Sequence, residues 1–170
     1  VALTTISVTD GNDMVEATRF SSWLRLKRVT AWVFRFIKNC RQKVKMQNFL
    51  SAEELKLAEL SVIKEVQKDV FQDKLHLLKE KKGLPKGNKM APLSPFVDFE
   101  GCIRVGGRLK NASIPYDSKH QLILPRTHHV TDLIIDHGHK SNGHIGPEHL
   151  LSNIREHYWI MGARVAVKSV

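Results

Sequence analysis

A chain of 170 residues has room for one medium domain or two small ones. Its apolar share of 42% is enough for a core, and no run of about 18 apolar residues exists to span a membrane. The net charge of +10 and pI near 9.8 point to an anionic partner, DNA or RNA first. Two widely separated cysteines, Cys40 and Cys102, exclude a disulfide framework and suit a reducing compartment.

Residues 1–18 show no helical period and read as a lead-in. From residue 19 the pattern changes. Trp23, Leu26, Thr30, Val33 and Ile37 recur at i, i+3, i+7, i+10 and i+14, one stripe of a helix, with Ser21 or Ser22 as its cap. The stretch 19–45 carries many cations and no acid. Arg25, Lys27, Arg28 and Arg35 are its candidate phosphate contacts. A helix packed on a neighbouring domain is the competing reading, because Trp32, Phe34 and Phe36 add apolar surface outside the stripe.

Ser51-Ala52-Glu53-Glu54 is a capping box and predicts a helix start. Leu55, Ala58, Val62, Val66 and Val70 line one face of that helix, which ends near Glu80 in a run of lysines before Gly83. The two helices are expected to form an antiparallel pair, making 19–82 a basic helical region. Residues 83–95, with Gly83, Pro85, Gly87, Pro92 and Pro95, read as a linker and domain boundary.

Beyond it the period becomes two. Short strands are expected over 96–99, 102–105 and 121–124, with a turn at Glu100-Gly101 and a break at Gly106-Gly107. Cys102 reads as a small buried hydrophobe. A helix from Thr127 to His137 is expected, then a loop over 138–146. Pro147 opens a second helix facing inward with Leu150, Leu151, Ile154 and Tyr158, and a third begins after Gly162. Three such short helices bury little, so a metal or a neighbouring domain is expected to hold them. The predicted fold is α+β and mainly helical: long helices first, then a small sheet, then a three-helix zinc-binding-type domain within 96–170.

His139 and His144 have four residues between them, the His-x₃₋₅-His half of a structural zinc site. His137 competes for the first ligand position. The matching Cys-x-x-Cys is absent from the sequence. His128, His129, His149 and His157 are read as surface residues, Gly146 as a backbone requirement before the helix, and Trp159 as core.

The order Leu122-Ile123-Leu124-Pro125, helix, His139-x₄-His144-x-Gly146, helix, Tyr158-Trp159 resembles the zinc-binding N-terminal domain of retroelement integrases. Phe20-Ser21-Ser22-Trp23, Arg28 to Val33, the helix start at Leu50 to Glu54, and Gly106-Gly107-Arg108-Leu109 are similar to the segment joining ribonuclease H to integrase in BEL/Pao-type retrotransposon polyproteins. The resemblance covers about residues 19–170.

It implies a non-catalytic segment, with one structural zinc held by His139, His144 and a cysteine pair. That pair is expected about 25–35 residues after the second histidine by zinc-finger-type spacing, at or past Val170. Both chain ends accordingly read as cuts in a longer polyprotein. The implied partners are retroelement DNA ends or RNA, other integrase copies and neighbouring polyprotein domains, in a cytoplasmic particle and the nucleus. Two other readings stand beside it. One is a metal-free helical adaptor between polyprotein enzymes. The other is a histidine-metal hydrolase, disfavoured because Lys140-Ser141-Asn142 stands where an acid should follow His137-x-His139.

Overall fold

The computed structural model describes residues 15–42, 46, 48–85, 87–107, 112–143 and 145–167. It is mainly helical with a small four-stranded sheet, and it divides into two compact units, Val1–Val62 and Ile63–Val170.

In the first unit, α1 spans Trp23–Arg41 and is capped as its sequence predicts. The Ser22 hydroxyl accepts from the Arg25 amide at 3.4 Å. Trp23, Leu26, Thr30 and Ala31 form its buried face, and the Thr30 hydroxyl is satisfied by the Leu26 carbonyl one turn back. The second helix, α2, spans Ala52–Lys79. Its capping box closes in both directions. The Ser51 amide donates to Glu54 at 2.8 Å, and the Glu54 amide donates to the Ser51 hydroxyl at 3.2 Å. Lys27 pairs with Glu59 and Arg35 with Glu54, so position rises along α1 as it falls along the start of α2: the antiparallel order expected of this pair.

In the second unit the sheet has the order β1-β2-β3-β4. Strands β1 (Phe96–Val97) and β2 (Ile103–Arg104) form a hairpin closed by Glu100-Gly101, where Gly101 takes φ +86°. Strand β3 (Leu122–Leu124) pairs antiparallel with β2 and parallel with β4 (Tyr158–Ile160). Between β2 and β3 lies the short helix α3 (Tyr116–Lys119). Between β3 and β4 run α4 (His129–Ser141) and α5 (Pro147–Ile154), and α6 (Ala163–Val167) follows. All three residues of β3 are buried, as expected of a strand covered on both faces.

Gln67 of α2 is wholly buried and spans β2 and β3. Its Nε2 donates to the carbonyls of Ile103 (2.8 Å) and Ile123 (2.7 Å), and its Oε1 accepts from the Ile103 amide (2.6 Å). Next to it, Phe71, Met90, Ile103, Val105 and Ile123 form one apolar cluster. At Phe71 the helix leaves helical geometry, with φ −120° and ψ 23°.

Four expectations are corrected here. The stretch 83–95 is not a boundary between units. Met90 is buried, and Leu84 and Leu93 pack on the same cluster, so it is an internal loop whose Pro and Gly content reports turns rather than separation. Tyr158 does not continue a helix face. The helix ends at Ile154, and Tyr158-Trp159-Ile160 is a strand whose bonds to β3 outweigh helical periodicity. The three C-terminal helices are therefore not a separate bundle, since β4 ties them into the sheet. Helix α4 runs on to Ser141, taking in the first four residues of the predicted loop.

Three outcomes are expected. Gln67→Ala leaves buried amide and carbonyl groups unpaired and opens a cavity, lowering stability by about 2–4 kcal/mol in urea unfolding. Gln67→Glu keeps the shape but points an oxygen at two carbonyls, and should be less damaging at pH 4 than at pH 7. The hydrogen-bonded Arg35 guanidinium holds the Glu54 carboxyl down at about 2. A carboxyl depressed in the folded state contributes stability above its unfolded pKa of about 4.3, and that stability is lost as pH falls toward the folded value. The melting-temperature gap between the native chain and Glu54→Gln should be constant above about pH 5 and close between about pH 4.3 and 2.

Candidate metal centre

The His139 imidazole is carried on the last turn of α4. That helix starts where it does because His128 caps it. Burial pushes the His128 imidazole below its ordinary value, and its Nδ1 accepts from the Val130 amide at 3.1 Å. Val130, Leu133, Ile134 and Ile135 bury one side of the helix. Gly138 sits where a Cβ would lie 2.9 Å from Leu150 Cδ1, so the lack of a side chain lets α5 approach α4 closely. The last carbonyls are taken up locally. Ser141 donates to the His137 carbonyl and Asn142 to that of Gly138, each at 2.7 Å, and Gly143 turns the chain with φ +70°.

His137 and His139 are both half-buried. Two residues apart on a helix, they do not face each other, so they do not form a ligand pair. This geometry makes them alternatives rather than partners. His144 lies outside the described residues. Among the described residues, no group of three or more His, Cys, Asp or Glu side chains is placed to hold a metal ion. Cys102 supplies no thiolate. It is wholly buried beside the hairpin, and burial pushes its thiol up to about 12. Cys40 is exposed on α1 in the other unit.

His128 and His129 are half-buried rather than exposed, while His149 and His157 are exposed as expected. Gly146, the cap residue of α5, has φ −62° and nothing within 4 Å of a would-be Cβ, so no backbone demand explains it. Trp159 packs on the apolar cluster with Arg155 over its ring.

The four candidate phosphate contacts separate. Arg25 and Arg28 are exposed. Lys27 is half-buried, 3.1 Å from Glu59 and near the Trp23 ring. Arg35 is 3% exposed. Its guanidinium donates to both Glu54 oxygens and to the carbonyls of Asn48 and Phe49, so its donors are turned inward and not toward phosphate.

A second inward arginine was not anticipated from the sequence. Arg104 on β2 is 1% exposed. It bonds Asp98 at 2.5 Å, Asp117 at 2.9 Å and the His120 carbonyl at 2.9 Å, with Glu100 3.7 Å away and the Tyr116 ring against it. A lone arginine in an apolar strand, six residues after an aspartate, is the signal that could have found it.

No protein-family model, curated protein or solved structure matches the chain. Among the described residues, no helix is long and apolar enough to cross a membrane.

The thiol environments predict selective chemistry. With Ellman's reagent the native chain should release chromophore rapidly from Cys40 alone, and from Cys102 only after denaturation. The absorbance yield in buffer and in guanidinium checks this.

Proposed function

We propose that this chain is the connecting region and the leading part of the zinc-binding N-terminal domain of a BEL/Pao-type retrotransposon integrase. The carrying observation is the order His139-x₄-His144-x-Gly146, with His139 in the last turn of α4, Pro147 opening α5 and Tyr158-Trp159 following. In this reading His139 and His144 each give a neutral imidazole nitrogen, and a thiolate pair, which residues 1–170 do not contain, completes a closed tetrahedral site. Zinc, when bound, supplies a structural cross-link and no reaction chemistry. The segment is non-catalytic. It supports integrase self-association and engagement of DNA, with Arg25 and Arg28 as phosphate contacts on α1, in a cytoplasmic particle and then the nucleus.

The metal-free adaptor is favoured by one observation. Among the described residues, 126–143 and 145–167 are held by β4 pairing with β3 and by the buried residues of α4, α5 and α6. Metal stoichiometry separates the two readings. Extending the chain by the residues that follow it in its reading frame should give one tightly held zinc by atomic absorption. His139→Ala or His144→Ala should abolish that zinc, and His137→Ala should leave it. An extended chain with no zinc sinks the integrase reading and leaves the adaptor.

A further inference from the structure

The end of α2 opens into a groove of about 660 Å³ in the second unit. Its floor includes Leu78, Leu84 and Phe96, and its rim carries the exposed side chains of Lys79, Lys81 and Lys82, the last paired with Glu80 at 2.6 Å. The helix ends in a Schellman motif: the Lys82 amide donates to the Leu77 carbonyl at 2.9 Å and the Lys81 amide to that of Leu78 at 3.1 Å. Glycine is the unstrained residue at the left-handed position of this motif. Lysine stands there instead, with φ +55°. Across the groove Ser94 is also left-handed, with φ +47°, and among the described residues these two are the only non-glycines with positive φ. Ser94 is held there by its neighbours. The Gly106 amide donates to the Leu93 carbonyl at 3.1 Å, and a Cβ on Gly106 would lie 2.2 Å from the Ser94 carbonyl oxygen.

Backbone strain of this kind gathers at ligand sites, where the surrounding structure maintains it. Positive charge near a helix C-terminus is favourable whatever it binds. A left-handed lysine is not, and its strain is maintained beside the groove that its side chain borders. We propose that this groove binds a single strand of nucleic acid, phosphates on the three lysines and bases against the apolar floor. The charge is complementary to phosphodiester. Cations beside an apolar and aromatic surface are the combination that holds single strands without sequence preference. The volume lies within the ~300–1,000 Å³ of small-ligand clefts, suiting separate nucleotides rather than a duplex. This site is independent of the zinc reading.

The test is fluorescence anisotropy of a labelled oligothymidine of about twelve nucleotides, inside the ~4–16 typical of such sites, titrated at several salt concentrations. The variant Lys79→Gln/Lys81→Gly/Lys82→Gln should bind about tenfold more weakly at low salt. Its log–log salt slope should flatten by about two, because three phosphates are no longer neutralised, at ~0.7 each. A charge-matched variant at exposed positions of the same unit, Lys68→Gln/Lys140→Gln/Arg164→Gln, should be weakened far less. Lys81→Gly alone should weaken binding while raising the melting temperature by about 2–5 °C, since glycine relieves the strain. Equal weakening in the two triple variants would overturn the groove as the site. Displacement of the oligonucleotide by polyglutamate at matched charge would overturn nucleic acid as its ligand.

Discussion

One side chain fixes the second unit. Strands β2 and β3 are short, and their ladder is thin: Arg104 faces Leu122, and the Val105 amide reaches the Gln121 carbonyl at 2.9 Å. Close by, Gln67 takes over the pairing of the Ile103 amide, the Ile103 carbonyl and the Ile123 carbonyl. A buried amide side chain is costly unless satisfied, and here each of its polar atoms has a partner. Apolar contact alone would allow α2 to slide over the sheet. Three directional bonds select one register, and the apolar cluster of Phe71, Met90, Ile103, Val105 and Ile123 closes beside it.

Charge follows the same logic of satisfaction. Among the described residues, no buried side-chain nitrogen or oxygen lacks a partner. Arg35 in one unit and Arg104 in the other are buried, each held by carboxylates and backbone carbonyls. Burying a guanidinium without such partners would cost several kcal/mol. Two of the cations that make the chain basic are therefore structural. The net charge of +10 indicates the sign of a partner but not where it binds, because a sum cannot separate inward arginines from the exposed lysines at the end of α2.

The local signals were legible. The Ser22 cap, the Ser51–Glu54 box, the Glu100-Gly101 turn and the buried Cys102 each depend on neighbours within a few residues. The helix stop was legible in kind but not in place. The lysine run ends α2 before Gly83, yet the left-handed residue is Lys81. For the candidate metal site, the spacing of His139 and His144 could be read directly. That His137 and His139 face apart required the helix to reach Ser141, and Gly138 inside that helix argued for a loop until its contact with Leu150 explained it.

The sequence alone thus determined whatever is set by chain-local chemistry: helix periods, caps, turns, the mainly helical α+β class and the histidine pair. Tertiary structure decided the rest. Tyr158-Trp159-Ile160 continues an apolar pattern that a helix or a buried strand would satisfy equally, and the unpaired edge of β3 made it a strand. Residues 83–95 look like a linker by composition, and the burial of Met90 made them part of a core. Gln67 and Arg104 are polar residues in apolar surroundings, whose partners lie 36 and 56 residues away for one and 6 to 16 for the other. Periodicity encodes which face is apolar. It does not encode which distant backbone group a buried polar atom will meet, because that pairing exists only once the chain has closed on itself.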